Sequence, residues 1–193
     1  MLKSEFKLFW EGKFPESYPI GSEMKNIFKE RWFRIHSLPN SKRYAETDED
    51  YQIIFDKQNK IIEDVLGEDE EIILLIGLSD HDLSNENYKE ISEFNEFEKV
   101  DRLELHKIIP TADEDEIFVD ILMKATTWKS NKRNDILKAI ADDEIRMMFV
   151  SFNKNRIVIP YDGGIDIVLE SKDVKNFFKE KYSNWLSNHS EGL

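Results

Sequence analysis

The sequence predicts an α+β fold built on a mostly antiparallel sheet, and three stretches carry that prediction. Between residues 145 and 169, three short apolar runs are joined by polar turns. Over 47–66 apolar residues return at helical spacing, and over 172–186 aromatic residues do the same. With 193 residues, 40% of them hydrophobic and 13 of them Phe, there is material for one substantial core. No repeat or linker divides the chain, so a single domain over 1–193 is expected.

Phe6, Leu8, Phe9 and Trp10 predict a short helix near 3–11, followed by a loop through Pro15 and Pro19. Phe28 to Leu38 reads as a strand. Trp32, Phe33 and Ile35 favour the extended chain, and Pro39 stops it because proline lacks the ladder donor. Strand alternation places Trp32, Arg34 and His36 on one face, Phe33 and Ile35 on the other.

Thr47 begins a helix to Leu66 of about 30 Å. Its hydroxyl can cap the first turn, Asp48, Glu49 and Asp50 suit the positive end of the helix dipole, and Gly67 ends it. Tyr51, Ile54, Phe55, Gln58, Ile61, Ile62, Val65 and Leu66 trace the buried stripe, while Asp56, Lys57, Asn59, Lys60 and Glu63 form a solvated face. Ile72 to Leu78 is a strand buried on both faces. Residues 79–114 are polar and weakly patterned, apart from a strand-like stretch from Val100 to Ile109, and are expected to be the mobile part of the chain.

Ile117 to Trp128 predicts another strand, and Ile136, Leu137 and Ile140 a short helix over 134–141. Ile145–Phe152, Arg156–Tyr161 and Ile165–Leu169 then form a three-stranded meander. Its turns are Asn153-Lys-Asn155 and Asp162-Gly-Gly164, the second offering the positive φ of a tight hairpin. Ser171 caps the last helix, about 172–186, which presents Val174, Phe177, Phe178, Lys181, Tyr182 and Trp185 to the sheet.

Charge narrows the function. Forty acidic against 27 basic side chains give a net charge of −13, so phosphate is repelled and nucleic acid is not the expected partner. A basic protein suits such a surface better. The absence of cysteine excludes disulfides, thiolate metal sites and thiol nucleophiles, and fits a cytoplasmic protein. The first eleven residues are charged throughout, unlike a signal peptide, and the longest apolar run, Ile72–Ile76, is too short to enter a bilayer. No membrane partner is expected.

Against this acidity, residues 31–44 form a basic island with Arg31, Arg34, Lys42, Arg43 and His36 and no acid. Arg34 and His36 share a strand face, and the chain after Pro39 can bring Ser41, Lys42 and Arg43 back beside them, close to the capped helix start. Those are the parts of an anion site. The competing expectation is internal pairing, in which Arg31 and Arg34 bridge to acids of a neighbouring element and Lys42 and Arg43 stay exposed. No metal or cofactor is expected: His36, His81, His106 and His189 lack ligand spacing, and Asp113-Glu-Asp-Glu116 lacks the glycine and spaced oxygens of a calcium loop. No nucleophile elbow or phosphate-binding glycine loop is present. Asp162 and Asp166 flank one turn, a poor setting for a carboxylate pair across a cleft. Turn chemistry explains Asp162 and leaves Asp166 unexplained.

Trp32-Phe-Arg-Ile-His-Ser-Leu-Pro-Asn-Ser-Lys-Arg-Tyr44, Tyr161-Asp-Gly-Gly-Ile-Asp166 and Tyr182-Ser-Asn-Trp-Leu-Ser-Asn-His-Ser-Glu-Gly-Leu193 together resemble an uncharacterised bacterial protein family of similar length. The resemblance spans nearly the whole chain. It implies a bacterial cytoplasmic protein and carries over no activity, cofactor or site residue. Two functional expectations follow from the residues. One is a non-enzymatic, acidic protein-interaction module, comparable to bacterial immunity proteins in size and charge by analogy alone. The other is an enzyme or receptor that binds a phosphorylated or carboxylated molecule through Arg34, His36 and Arg43.

Overall fold

The computed structural model describes residues 3–39, 42–79, 86–91, 93–108 and 117–186. Its centre is one antiparallel sheet of seven strands in the order β1-β7-β6-β5-β2-β4-β3. The strands are β1 (Trp32–His36), β2 (Glu71–Ser79), β3 (Glu98–Glu104), β4 (Phe118–Thr127), β5 (Met148–Ser151), β6 (Arg156–Tyr161) and β7 (Gly164–Val168). The expected meander is present, and β7 continues it to β1 in the register Trp32↔Val168 through His36↔Gly164. The α+β class holds.

Strand alternation sends side chains into two cores. On one face Ile72, Leu74 and Ile76 of β2 join Phe33, Ile35, Val158, Ile165 and Ile167 beneath α3 (Asp48–Leu66), α6 (Asn134–Ala141) and α7 (Lys172–Lys181). On the other, Ile73 and Leu75 join Ile121, Met123, Met148, Val150 and Ile157 beneath Phe6, Trp10 and Phe14 of the N-terminal segment. That segment contains α1 (Lys3–Lys13) and leads through a 3₁₀ turn at Gly21–Glu23 into α2 (Met24–Ile27). β2 is apolar on both sides because helices cover both sides of the sheet centre.

α3 matches its sequence pattern. Thr47 Oγ1 accepts the Asp50 N–H at 3.2 Å and the Asp50 carboxylate accepts the Thr47 N–H at 3.1 Å, a reciprocal cap. Its expected solvated face is wrong at one place. Asn59 is buried, donating to Phe55 O and Asn134 Oδ1 and accepting the Asn131 N–H. It joins α3 to the start of α6, and its full set of partners offsets the cost of burial. The last helix also departs from its pattern: it ends at Lys181, and a 3₁₀ turn follows at Ser183–Trp185. Phe178 and Tyr182 are buried, but Phe177 is 62% exposed, since only part of so short a helix meets the sheet.

The strand-like stretch from Val100 to Ile109 is divided. β3 ends at Glu104, with a register shift between Lys99 and Asp101, and a single helical turn, α5 (Leu105–Ile108), follows. Further helical turns occur at α4 (Asn87–Glu90) and at Phe94–Glu96. The remaining parts of 79–114, including His81, lie outside the described residues, as do Asp113–Glu116 and His189. Among the described residues no helix is long and apolar enough to cross a membrane.

The β6–β7 turn needs glycine for a different reason from the one expected. Neither Asp162 nor Gly163 lies in the left-handed region. At Gly164, however, an added Cβ would sit 2.2 Å from Ile35 O and 3.2 Å from His36 Cα. The close approach of β1 to β7 therefore requires a residue without a side chain. Gly164→Ala should lower unfolding free energy by about 2–3 kcal/mol in urea titrations, from overpacking against backbone. Gly12→Ala, which meets nothing within 4 Å, should be neutral or stabilising. Equal effects at the two sites would contradict this account.

Candidate functional site

The β1–β7 register sets Arg34 directly opposite Asp166. Both side chains point to the α1/α2 face, in the row that also holds Trp32, His36 and Tyr161. Arg34 Nε donates to Asp166 Oδ1 at 2.6 Å and Nη2 to Oδ2 at 2.9 Å, a planar fork. The guanidinium lies 4.7 Å from the Tyr161 ring centroid and 5.5 Å from that of Trp32. Hydrogen bonding to Asp166 raises the Arg34 pKa further and keeps it charged. Asp166, unexplained from its neighbours in sequence, is the partner that β1 brings.

Lys42 and Arg43 of the island are paired with carboxylates as well. Lys42 Nζ donates to Asp50 Oδ2 at 2.8 Å and lies 3.0 Å from Glu46 Oε2. Lys42, followed by the backbone N–H of Glu46, draws the Asp50 carboxyl down to about 2. Arg43 is exposed, as expected, yet its Nε reaches Asp162 Oδ2 at 2.5 Å. Asp162 is only 5% exposed and also accepts the Gly163 N–H at 2.9 Å, so it serves the turn and the arginine together. Arg31 lies over Phe28 and donates to Glu170 O at 3.4 Å. His36 Nε2 is buried and has no hydrogen-bond partner among the described residues. Ser41 lies outside them.

The two arginine–aspartate pairs stand at one end of a cleft of about 840 Å³ that opens on the α1/α2 face and also reaches Tyr88, Ile140, Ile145 and Met147 of the other core. Arg34, Arg43, Tyr161, Asp162 and Asp166 line the end nearest β1, β7 and the β6–β7 turn. Met148, Ile159, Leu75, Gly77 and Val119 line it toward β4, and the segment from Pro19 to Asn26 forms a wall. Gly77 contributes by its size, because a Cβ there would meet Val119 Cγ1 at 3.2 Å. The structure thus brings Arg34, Arg43, Asp162 and Asp166 to one place, whereas Lys42 turns away to the start of α3.

A second charged centre, on the opposite face, escaped the sequence reading. Lys124 of β4 reaches Glu93 at 2.8 Å and Glu96 at 3.1 Å. Buried Arg133 donates to Thr126 Oγ1 at 2.6 Å and Thr127 O at 3.1 Å, and lies 3.5 Å from Glu93. It pins the 93–97 segment to the sheet. The available signal was a lysine in a strand between Leu122 and Thr126, on the side that α6 faces. Among the described residues, no three His, Asp or Glu side chains converge as a metal-holding group.

The model of a family described as a domain of unknown function, DUF3885, matches residues 20–190. The match spans β1, its basic island and the β6–β7 turn. No curated protein and no solved structure matches the chain.

Burial pushes the Tyr161 phenol up to about 12, so it remains a hydrogen-bond donor at the cleft through the physiological range. A raised folded-state value means the native state holds its proton more tightly than the unfolded chain, so stability falls as pH rises from about 10 towards 12. In a phenolate absorbance titration, the difference between wild type and Tyr161→Phe should develop only near the top of this range. A Tyr161 transition near pH 10 would show that the ring is not shielded.

Proposed function

We propose that this chain, which belongs to the DUF3885 family, is a bacterial cytoplasmic protein-interaction module without catalytic activity, using its acidic surface to engage a basic partner. The supporting observation is the balance of charge. The net charge is −13, and Arg34, Lys42 and Arg43 are each held by a carboxylate of the same chain. The basic island is thereby used internally, and the acidic surplus remains to form the outer field. Such a field speeds encounter with a positively charged partner and disfavours acidic competitors. The immunity-protein comparison remains one of size and charge.

One observation favours a second reading, a receptor or enzyme for a phosphorylated or carboxylated small molecule. Arg34 and Arg43 line a cleft of about 840 Å³, within the range of small-molecule sites. His36 shares the strand face of Arg34, with its Nε2 buried and without a hydrogen-bond partner among the described residues.

The leading reading predicts that the immobilised chain captures a specific basic protein from a bacterial extract at low salt. About 0.5 M salt should release it, since the Debye length then falls below the spacing of surface charges. Retention that is indifferent to salt, or repeated failure to capture a specific partner, would contradict it.

A further inference from the structure

We infer that the cleft on the α1/α2 face binds a zwitterion with an apolar body, such as an apolar amino acid or a short peptide with free termini. The inference rests on the second reading above and changes its ligand. Arg34–Asp166 and Arg43–Asp162 give the polar end two positive and two negative groups, so its charge is already closed. Asp162 and Asp166 are 5% and 7% exposed. There, a lone phosphate or carboxylate would set an uncompensated negative charge beside two buried carboxylates. A lone cation would do the converse to the arginines. A molecule carrying both signs adds no net charge and engages both pairs.

The unused hydrogen-bonding capacity has the same duality. The fork uses Nε and Nη2 of Arg34, and the Asp162 contact uses Nε of Arg43. Arg34 Nη1 and both Arg43 terminal nitrogens have no partner among the described residues, leaving donors for a carboxylate. The protonated Tyr161 phenol, with its ring under Arg34, adds another donor at this end. Asp162 and Asp166 retain lone pairs for an ammonium group, since each carboxylate can accept about four bonds. The rim also mixes signs, with Glu23, Asp143 and Glu144 alongside Lys25 and Arg146.

Away from this end the lining becomes aliphatic and sulfur-bearing. Ile20, Leu105 and Ile159 are partly exposed there, over the buried Leu75 and Met148, and offer an apolar surface. Gly77, where even a methyl group would crowd Val119, keeps the floor low. The cleft, at about 840 Å³, has room for an apolar body behind the charged head.

Calorimetric titration of the full chain with four probes tests the inference: leucyl-leucine, its N-acetyl form, its C-terminal amide and inorganic phosphate. Leucyl-leucine should bind at least about tenfold more tightly than either blocked form or phosphate, and Arg43→Gln, verified as folded by circular dichroism, should weaken it by about tenfold. If the N-acetyl form or phosphate binds as tightly as leucyl-leucine, the zwitterion inference falls and the anion-receptor reading stands. If the amide binds as tightly, or leucyl-leucine binds equally to Arg43→Gln, the inference falls as well. If no probe binds, both the inference and the small-molecule reading fall.

Discussion

The Arg34–Asp166 fork joins residues 132 positions apart in the chain, and it does so across the last strand pair of the sheet. Removing two charged groups from water costs several kcal/mol per ion, and mutual attraction recovers this only with good geometry. Here the geometry is good: two parallel bonds and two flanking aromatic rings. The fork therefore specifies arrangement. A slip of β1 by one residue would carry Arg34 to the helix-covered core and leave Asp166 buried without its partner. Gly164 acts on the same strand pair from the backbone side, admitting Ile35 and His36 at close range. Between them they settle where β1 lies, and thus where the chain after Pro39 must return to begin α3.

That placement links the fold to its surface. Arg43 reaches the β6–β7 turn and Lys42 the cap of α3, so two adjacent residues of the segment following β1 tie it to two different elements. Its charges are consumed locally, and the end of the cleft beside it holds two arginines and two aspartates. The outer surface carries the acidic surplus, which bears on the proposed encounter with a basic partner. The two features are separable. Long-range steering depends on net charge and weakens with salt, whereas the Arg34–Asp166 pair, shielded on both sides, is screened less.

Much of the fold was legible because its signals are local. The stripe of α3, its Thr47 cap, the alternation of β1 and the three runs of the meander each follow from a repeat within a few residues. What could not be read came from partners distant in sequence. Asp166 had no explanation until β1 supplied Arg34, and Lys124 gave no sign of meeting Glu93. Asn59 falls on the polar side of the α3 pattern, yet α6 covers it and satisfies its amide. Phe177 shows the opposite error, an aromatic residue on a helical stripe that the sheet does not reach. Glycine at the β6–β7 turn was correctly singled out, but for φ, when the cause is the neighbouring strand. In the candidate site, the residues and the internal pairing of Arg34 were legible, and the identity of its partner was not.

A double-mutant cycle between Arg34→Met and Asp166→Leu, read as unfolding free energy, tests this account most directly. Each single change strands one buried charge, and the double change removes both. The double variant should be more stable than the sum of the single losses implies, with a coupling energy of about 2–3 kcal/mol. Additive losses, with coupling near zero, would show that the fork does not act as a unit and would contradict the central role assigned to it.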